Sequence, residues 1–208
     1  FGGGVMRCLL IGVSSDLHFL HINIHHVAFD GLSTDILFRE LGALYQCFVA
    51  GGDPDGCVPS LPFQYVDFAR WQRSCQDLAA METQKAYWRE QLREGLLPVL
   101  EFPGDKPRPP VQTFNGGSVS FEIPAELVSR LEDLGRNYGC TMFQTMLSVW
   151  SLLLCRHSGQ EEVIVGVPYH GRDGAGLDKL IGYFVNMLAI RIEVAEDADV
   201  ESLLIGVR

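Results

Sequence analysis

The residues best suited to chemistry stand together as His25-His26-Val27-Ala28-Phe29-Asp30-Gly31. A histidine titrates near neutrality, so an imidazole here can accept a proton during acyl transfer and hand it back. An aspartate four residues on can fix a tight turn, either through bonds to its own backbone or through a buried cation. The glycine after it allows close backbone approach and can leave an N–H facing a developing oxyanion. Two adjacent histidines at a strand end also read as ordinary core or surface residues. Metal binding is a third reading, since His21, His25, His26 and Asp30 lie close in sequence. His21 and His25 share a face of a strand but stand too far apart to grip one ion, so no metal is expected.

The elements that must position this segment follow from its flanks. Residues 5–13 and 17–24 are rich in apolar and β-branched side chains around the turn Ser14-Ser15-Asp16, which reads as a β-hairpin. The His-containing segment begins where the second strand ends and stops just before a helix, a junction at which a rigid scaffold presents a short loop. Ser33 or Thr34 is the expected cap of that helix, and Leu37, Leu41, Leu44 and Phe48 recur along it at helical spacing. Residues 50–62 are rich in Gly and Pro and are the best internal boundary. Helices are expected over 63–78 and 81–93, and an irregular surface stretch with four prolines over 102–115. Residues 118–123 alternate like a strand. Pro124 suits the first turn of a helix running to Tyr138 and stopping at Gly139. Thr141 and Gln144 form a capping-box pattern ahead of a buried central helix carrying Phe143, Leu147, Trp150 and Leu154. Strands over 163–167 and 184–194 and a helix over 200–207 complete a mixed chain of α/β or α+β class.

Bulk properties remove several functions. With 16 basic and 26 acidic residues the net charge is −10, which repels phosphate backbones, so no nucleic-acid partner is expected. The longest nearly apolar stretch, 146–155, is too short to span a bilayer, and no membrane association or targeting segment is expected. The opening Phe1-Gly2-Gly3-Gly4, without an initiator methionine, reads as a chain cut from something longer. The six cysteines form no C-x-x-C pair and no zinc spacing. Cys8 and Cys155 lie in apolar runs as small core residues, so a reducing cytoplasm is the simplest compartment. Gly171, Gly174 and Gly176 lack the Lys and Ser/Thr of a phosphate loop and read as a flexible loop; His170 reads as an exposed loop histidine.

Three motifs in register carry a family resemblance. The segment from His25 to Gly31 matches HHxxxDG. Tyr65-Val66-Asp67-Phe68-Ala69-Arg70-Trp71 matches Y-x-D-F-A-x-W, and taken alone would read as helix packing. Ile181-Gly182-Tyr183-Phe184-Val185-Asn186-Met187-Leu188-Ala189-Ile190-Arg191 matches I-G-x-F-V-N-T-L-x-x-R, with Met187 in place of threonine. In this order the chain resembles a condensation domain of a nonribosomal peptide synthetase, over essentially all of its 208 residues but only about half of a full domain. The family's early Arg-His motif and its late motifs are not in the sequence.

The resemblance implies a chloramphenicol acetyltransferase-like fold, α/β of the sandwich kind, with two subdomains in a V and incomplete at both ends. Residues 1–57 would end the first subdomain and 58–208 begin the second. It implies that a donor acyl or peptidyl thioester is attacked by the amine of an acceptor aminoacyl thioester, giving an amide. Both substrates would ride on phosphopantetheine arms of upstream and downstream carrier domains, with an adenylation domain adjacent and no cofactor bound by this chain. By this match His26 and Gly31 are catalytic, and His25, Asp30 and Arg172 are structural at the site. Asp30 would pair with Arg172, or failing that with Arg191. Ser33 and Asn186 are the substrate-tunnel candidates; Asn186 either lines the tunnel or bonds only backbone. His26 either abstracts a proton or orients the amine. The fragment by itself is expected to be inactive. Rivals within the fold fit less well. Heterocyclisation domains carry aspartates in place of the histidines, epimerisation domains usually lack the F-V-N segment, and coenzyme A-dependent acyltransferases lack the Tyr65 and Ile181 motifs. A non-catalytic, partner-recruiting relative typically loses the second histidine or the aspartate, and both are here.

Overall fold

β-Branched and apolar residues on either side of a polar turn pair as the sequence implies. Strands β1 (Met6–Gly12) and β2 (His18–Ile24) form an antiparallel hairpin in which Met6 faces Ile24 and Gly12 faces His18. Ser14 Oγ donates to Asp16 at 2.7 Å across the turn. The structure, a computed structural model, describes residues 4–74, 78–92, 97–107 and 109–208. The helix expected over 63–78 is described as far as Ser74, and Cys75 and the expected helix end at 93 lie outside the described residues.

The chain forms two compact units: residues 1–82 with 168–188, and residues 83–167 with 189–208. This partition reflects packing within the chain and is drawn differently from the 1–57 and 58–208 subdomain division. In the first unit, α1 (Gly31–Val49) follows the hairpin and α2 (Tyr65–Ser74) follows the Gly/Pro-rich stretch. Its core is small: Leu177, Leu180 and Phe184 are buried, with Leu61, Phe63, Tyr65 and Phe68 packed on them. The cap of α1 is Asp30, whose carboxylate accepts from the Ser33 N–H, and not Ser33 or Thr34. An aspartate one turn earlier satisfies the same orphan N–H, which moves the helix start upstream.

The second unit holds α3 (Leu78–Leu92), apart from its first turn, and α4 (Ala125–Asn137), α5 (Met142–Ser158) and α6 (Val200–Val207). Strands β3 (Glu162–Tyr169) and β4 (Asn186–Glu193) form a second two-stranded sheet. The Thr141–Gln144 capping box is present in both directions. Leu147, Leu154, Cys155, Val163, Ile192, Val194 and Leu203 make the core.

Four expectations change here. Helix α5 is buried on one side only: Leu147 and Leu154 are inside, Phe143 and Trp150 are about half exposed, and Thr145, Ser148 and Ser151 are fully covered. Small side chains permit closer packing than the apolar count implies: a Cβ on Gly135 of α4 would lie 2.3 Å from the Thr145 hydroxyl oxygen. Residues 118–123 form no strand among the described residues, and Val119 and Phe121 are 90% and 80% exposed. Alternation needs a partner edge to become a ladder, and none pairs with it here. Cys8 is exposed, not a core residue, and Cys47 and Cys57 are joined in a disulfide, against the expectation of reduced cysteines.

Candidate active site

The end of β2 leads into a single 3-10 turn over His26–Ala28, and this turn sets the two imidazoles to opposite uses. His25 is its cap: the Val27 N–H donates to His25 Nδ1 at 3.0 Å, so that nitrogen carries a lone pair. His26 Nδ1 lies 2.6 Å from the Phe29 carbonyl, which can only accept, so that nitrogen carries the hydrogen. The neutral His26 ring therefore keeps its lone pair on Nε2. Both histidines are exposed. Gly31 is the first residue of α1, among the N–H groups that have no partner within a helix. A Cβ there would meet nothing within 4 Å.

Beneath this turn lies a buried polar knot, all within the first unit. Asp30 is 2% exposed and Arg172 7%. Arg172 Nη2 donates to Asp30 Oδ1 at 2.8 Å and to Ser33 Oγ at 3.0 Å. Its Nη1 donates to the Leu177 and Leu180 carbonyls at 2.7 and 2.6 Å. The guanidinium lies 4.1 Å from the Phe184 ring centroid, a cation–π contact. Arg172 Nε is buried with no hydrogen-bond partner among the described residues. The Asp30 Oδ1 also accepts from the Ser33 N–H and hydroxyl, and Oδ2 from the Phe184 N–H at 3.1 Å. Burial pushes the Asp30 carboxyl up, but the Ser33 hydroxyl, the Phe184 and Ser33 N–H groups and Arg172 outweigh it and hold the carboxyl below its ordinary value.

The knot joins the three motifs. The Gly182 N–H donates to Ser33 Oγ at 3.0 Å, and the Tyr65 hydroxyl donates to the Tyr183 carbonyl at 2.7 Å. Burial, with the Asp30 and Tyr183 charges, raises the Tyr65 phenol, which keeps it a donor. Tyr65 and Phe68 pack on Phe184 at 5.0 and 4.8 Å between ring centroids. Two glycines make the approach possible. Gly171 has φ +63°, and a Cβ would sit 2.3 Å from the Phe184 carbonyl oxygen; on Gly182 it would sit 2.2 Å from the Tyr65 ring.

The expected Asp30–Arg172 contact is thus present, and the fallback Arg191 is engaged elsewhere, with Glu162 and the Gln91 carbonyl. Ser33 is not at an open surface: it is fully buried, and its hydroxyl is used within the knot. Asn186 is exposed and donates to the Phe184 carbonyl at 3.1 Å. Tyr183 escaped the sequence reading because it occupies the unspecified position of its motif, yet its ring meets His26 edge to face at 5.4 Å. Among the described residues no group of three or more His, Cys, Asp or Glu side chains is placed to hold a metal, and no single helix is long and apolar enough to cross a membrane.

Known proteins bear on this arrangement in three ways. Phosphinothricin tripeptide synthetase PhsC of Streptomyces viridochromogenes is 41% identical over 206 residues, 99% of this chain and 19% of that protein. The teicoplanin-biosynthesis X-domain, solved in complex with OxyB, superposes with a TM-score of 0.87 at 26% identity, covering 98% of this chain and 45% of that one. The first condensation domain of the calcium-dependent antibiotic synthetase, solved with a substrate analogue, gives a TM-score of 0.72 at 22% identity over 98% of this chain and 44% of that one, a likeness of fold. The chain therefore spans about a fifth of that synthetase and under half of these solved chains. The chloramphenicol acetyltransferase-like fold of these neighbours is the α/β class expected from the sequence. The condensation-domain family model matches residues 2–208, and with its three motifs drawn into one knot the chain belongs to the condensation-domain family of nonribosomal peptide synthetases.

Proposed function

We propose that this chain is the part of a condensation domain that carries its catalytic histidine, and that the domain joins a donor acyl or peptidyl thioester to an acceptor aminoacyl thioester. The observation that carries the reading is the 2.6 Å contact from His26 Nδ1 to the Phe29 carbonyl, which leaves Nε2 to accept. The acceptor amine nitrogen attacks the donor thioester carbon; a C–N bond forms, the C–S bond breaks, and the thiol leaves on the donor arm. His26 Nε2 holds or takes the amine hydrogen as the nitrogen lone pair turns to the carbonyl, and that hydrogen ends on the departing sulfur, which leaves as the thiol. An amine near its own pKa needs little help to deprotonate, so orientation supplies much of the gain. The Gly31 N–H is assigned to the developing oxyanion. Asp30, Arg172 and His25 keep the turn in shape, and Asn186 is left as the tunnel candidate. Residues 1–57 then end one subdomain and 58–208 begin the next.

The substrates arrive on phosphopantetheine arms, so the partners are an upstream and a downstream carrier domain with an adenylation domain nearby. A cytoplasmic location belongs to the same reading. The Cys47–Cys57 disulfide is the feature that bears against it, and a thiol count on protein isolated from cells decides it. The rival is a recruiting module without chemistry, of interest because the X-domain likeness is to a protein solved with OxyB; His26 and Asp30, both present, weigh against it. The test is amide formation by the complete domain given two loaded carriers. Product released with turnover supports the proposal, and carrier binding without product supports the rival.

A further inference from the structure

One side chain that touches the His26 ring has no part in the steps above. Tyr183 meets it with the ring planes at 86°, the edge-to-face arrangement that aromatic pairs favour. Its backbone is clamped on both sides and in the middle. The Gly182 N–H donates to the buried Ser33 hydroxyl, the Tyr183 carbonyl accepts from Tyr65, and the Phe184 N–H donates to the buried Asp30 carboxylate. Three consecutive residues are thus tied to the knot, and the ring they present to His26 inherits their rigidity.

The bond from Nδ1 to Phe29 holds one edge of the exposed His26 ring and leaves the ring a residual rocking freedom about its side-chain torsions. A second contact at about a right angle to the ring removes it. From this we infer that Tyr183 is a positioning residue: its ring holds the imidazole plane and so aims the Nε2 lone pair. The inference rests on the amide-forming reading of the site. It acts through the ring and not through the phenol oxygen, because the contact is between ring faces and edges. It also gives the Ser33, Tyr65 and Asp30 bonds a shared consequence, since all three fix the backbone from which that ring projects.

The test uses the complete domain with both carriers loaded, comparing wild type with Tyr183→Ala, Tyr183→Leu, Tyr183→Phe and His26→Ala. Tyr183→Ala and Tyr183→Leu should lower kcat on the order of tenfold, with KM for the carriers and the thermal midpoint unchanged. Tyr183→Phe should keep the wild-type kcat. Wild-type kcat in the alanine and leucine variants overturns the inference. So does a loss in Tyr183→Phe equal to that in Tyr183→Ala, which would make the phenol the acting group, and so does a rise in KM alone, which would make Tyr183 a substrate contact. His26→Ala separates the levels. Its loss beside a fully active Tyr183→Ala sinks only this inference, whereas wild-type turnover in His26→Ala sinks the catalytic assignment of His26 beneath it, and absence of amide product from wild type sinks the amide-forming reading itself.

Discussion

Asp30 and Arg172 show how much a buried pair depends on its surroundings. A carboxylate and a guanidinium taken from water cost several kcal/mol each, which their attraction repays only when the remaining lone pairs and hydrogens are also satisfied. Here the carboxylate accepts from the Ser33 N–H and hydroxyl, the Phe184 N–H and Arg172. Removing one partner strands the other. Asp30→Ala is expected to destabilise the fold by roughly 3–5 kcal/mol, read by chemical denaturation of the complete domain, and a change under about 1 kcal/mol would contradict the buried-pair account. The pH dependence follows from the sign of the shift. The folded carboxyl lies below its ordinary value of 3.8, so its contribution is fully present above the unfolded pKa and is lost as pH falls through the folded one. Stability of wild type should therefore drop more steeply below about pH 4 than that of Asp30→Asn. Parallel acid limbs for the two proteins would show that Asp30 is not held in this way. The pairing with Arg172 was legible only through the family resemblance, because 142 residues separate the two and nothing local in either segment names its partner.

At the scale of elements, the hairpin, the helices and the capping box could be read from periodicity and turn residues because the forces that set them are local. What could not be read depends on distant neighbours. The start of α1 moved because Asp30 serves both as cap and as ion-pair partner. The covered side of α5 was misjudged because Thr145, Ser148 and Ser151 pack where larger apolar residues were expected. Ser33, expected as a helix cap or a tunnel-lining residue, is a buried residue of α1 that ties the helix to Gly182. The loop that brings Arg172 to Asp30 turns on Gly171, whose positive φ and 2.3 Å clearance from the Phe184 carbonyl leave no room for a side chain. Gly171→Ala should cost more than about 1 kcal/mol and separate Arg172 from Asp30, lowering activity together with stability. A thermal midpoint equal to wild type would show that the loop has another way through.

At the scale of the whole molecule, the chain exposes 16081 Å². A folded monomer of 23.1 kDa exposes on the order of 9,700 Å². Leu9, Leu10, Phe19 and Leu20 on the hairpin, and Phe38, Phe48, Trp71 and Phe121 elsewhere, are all about half exposed or more. Apolar surface on this scale marks an interaction face or drives association. Residues 1–208 expressed alone should therefore self-associate or lack a cooperative melt, as judged by sedimentation and calorimetry; a monodisperse, sharply melting monomer would contradict this. The central claim meets its most direct measurement in the complete domain. Single-turnover amide formation between two loaded carriers is compared for wild type and His26→Ala, with folding checked by thermal midpoint. The account predicts a folded variant whose amide product stays near the uncatalysed background, and product at the wild-type rate from His26→Ala would contradict it.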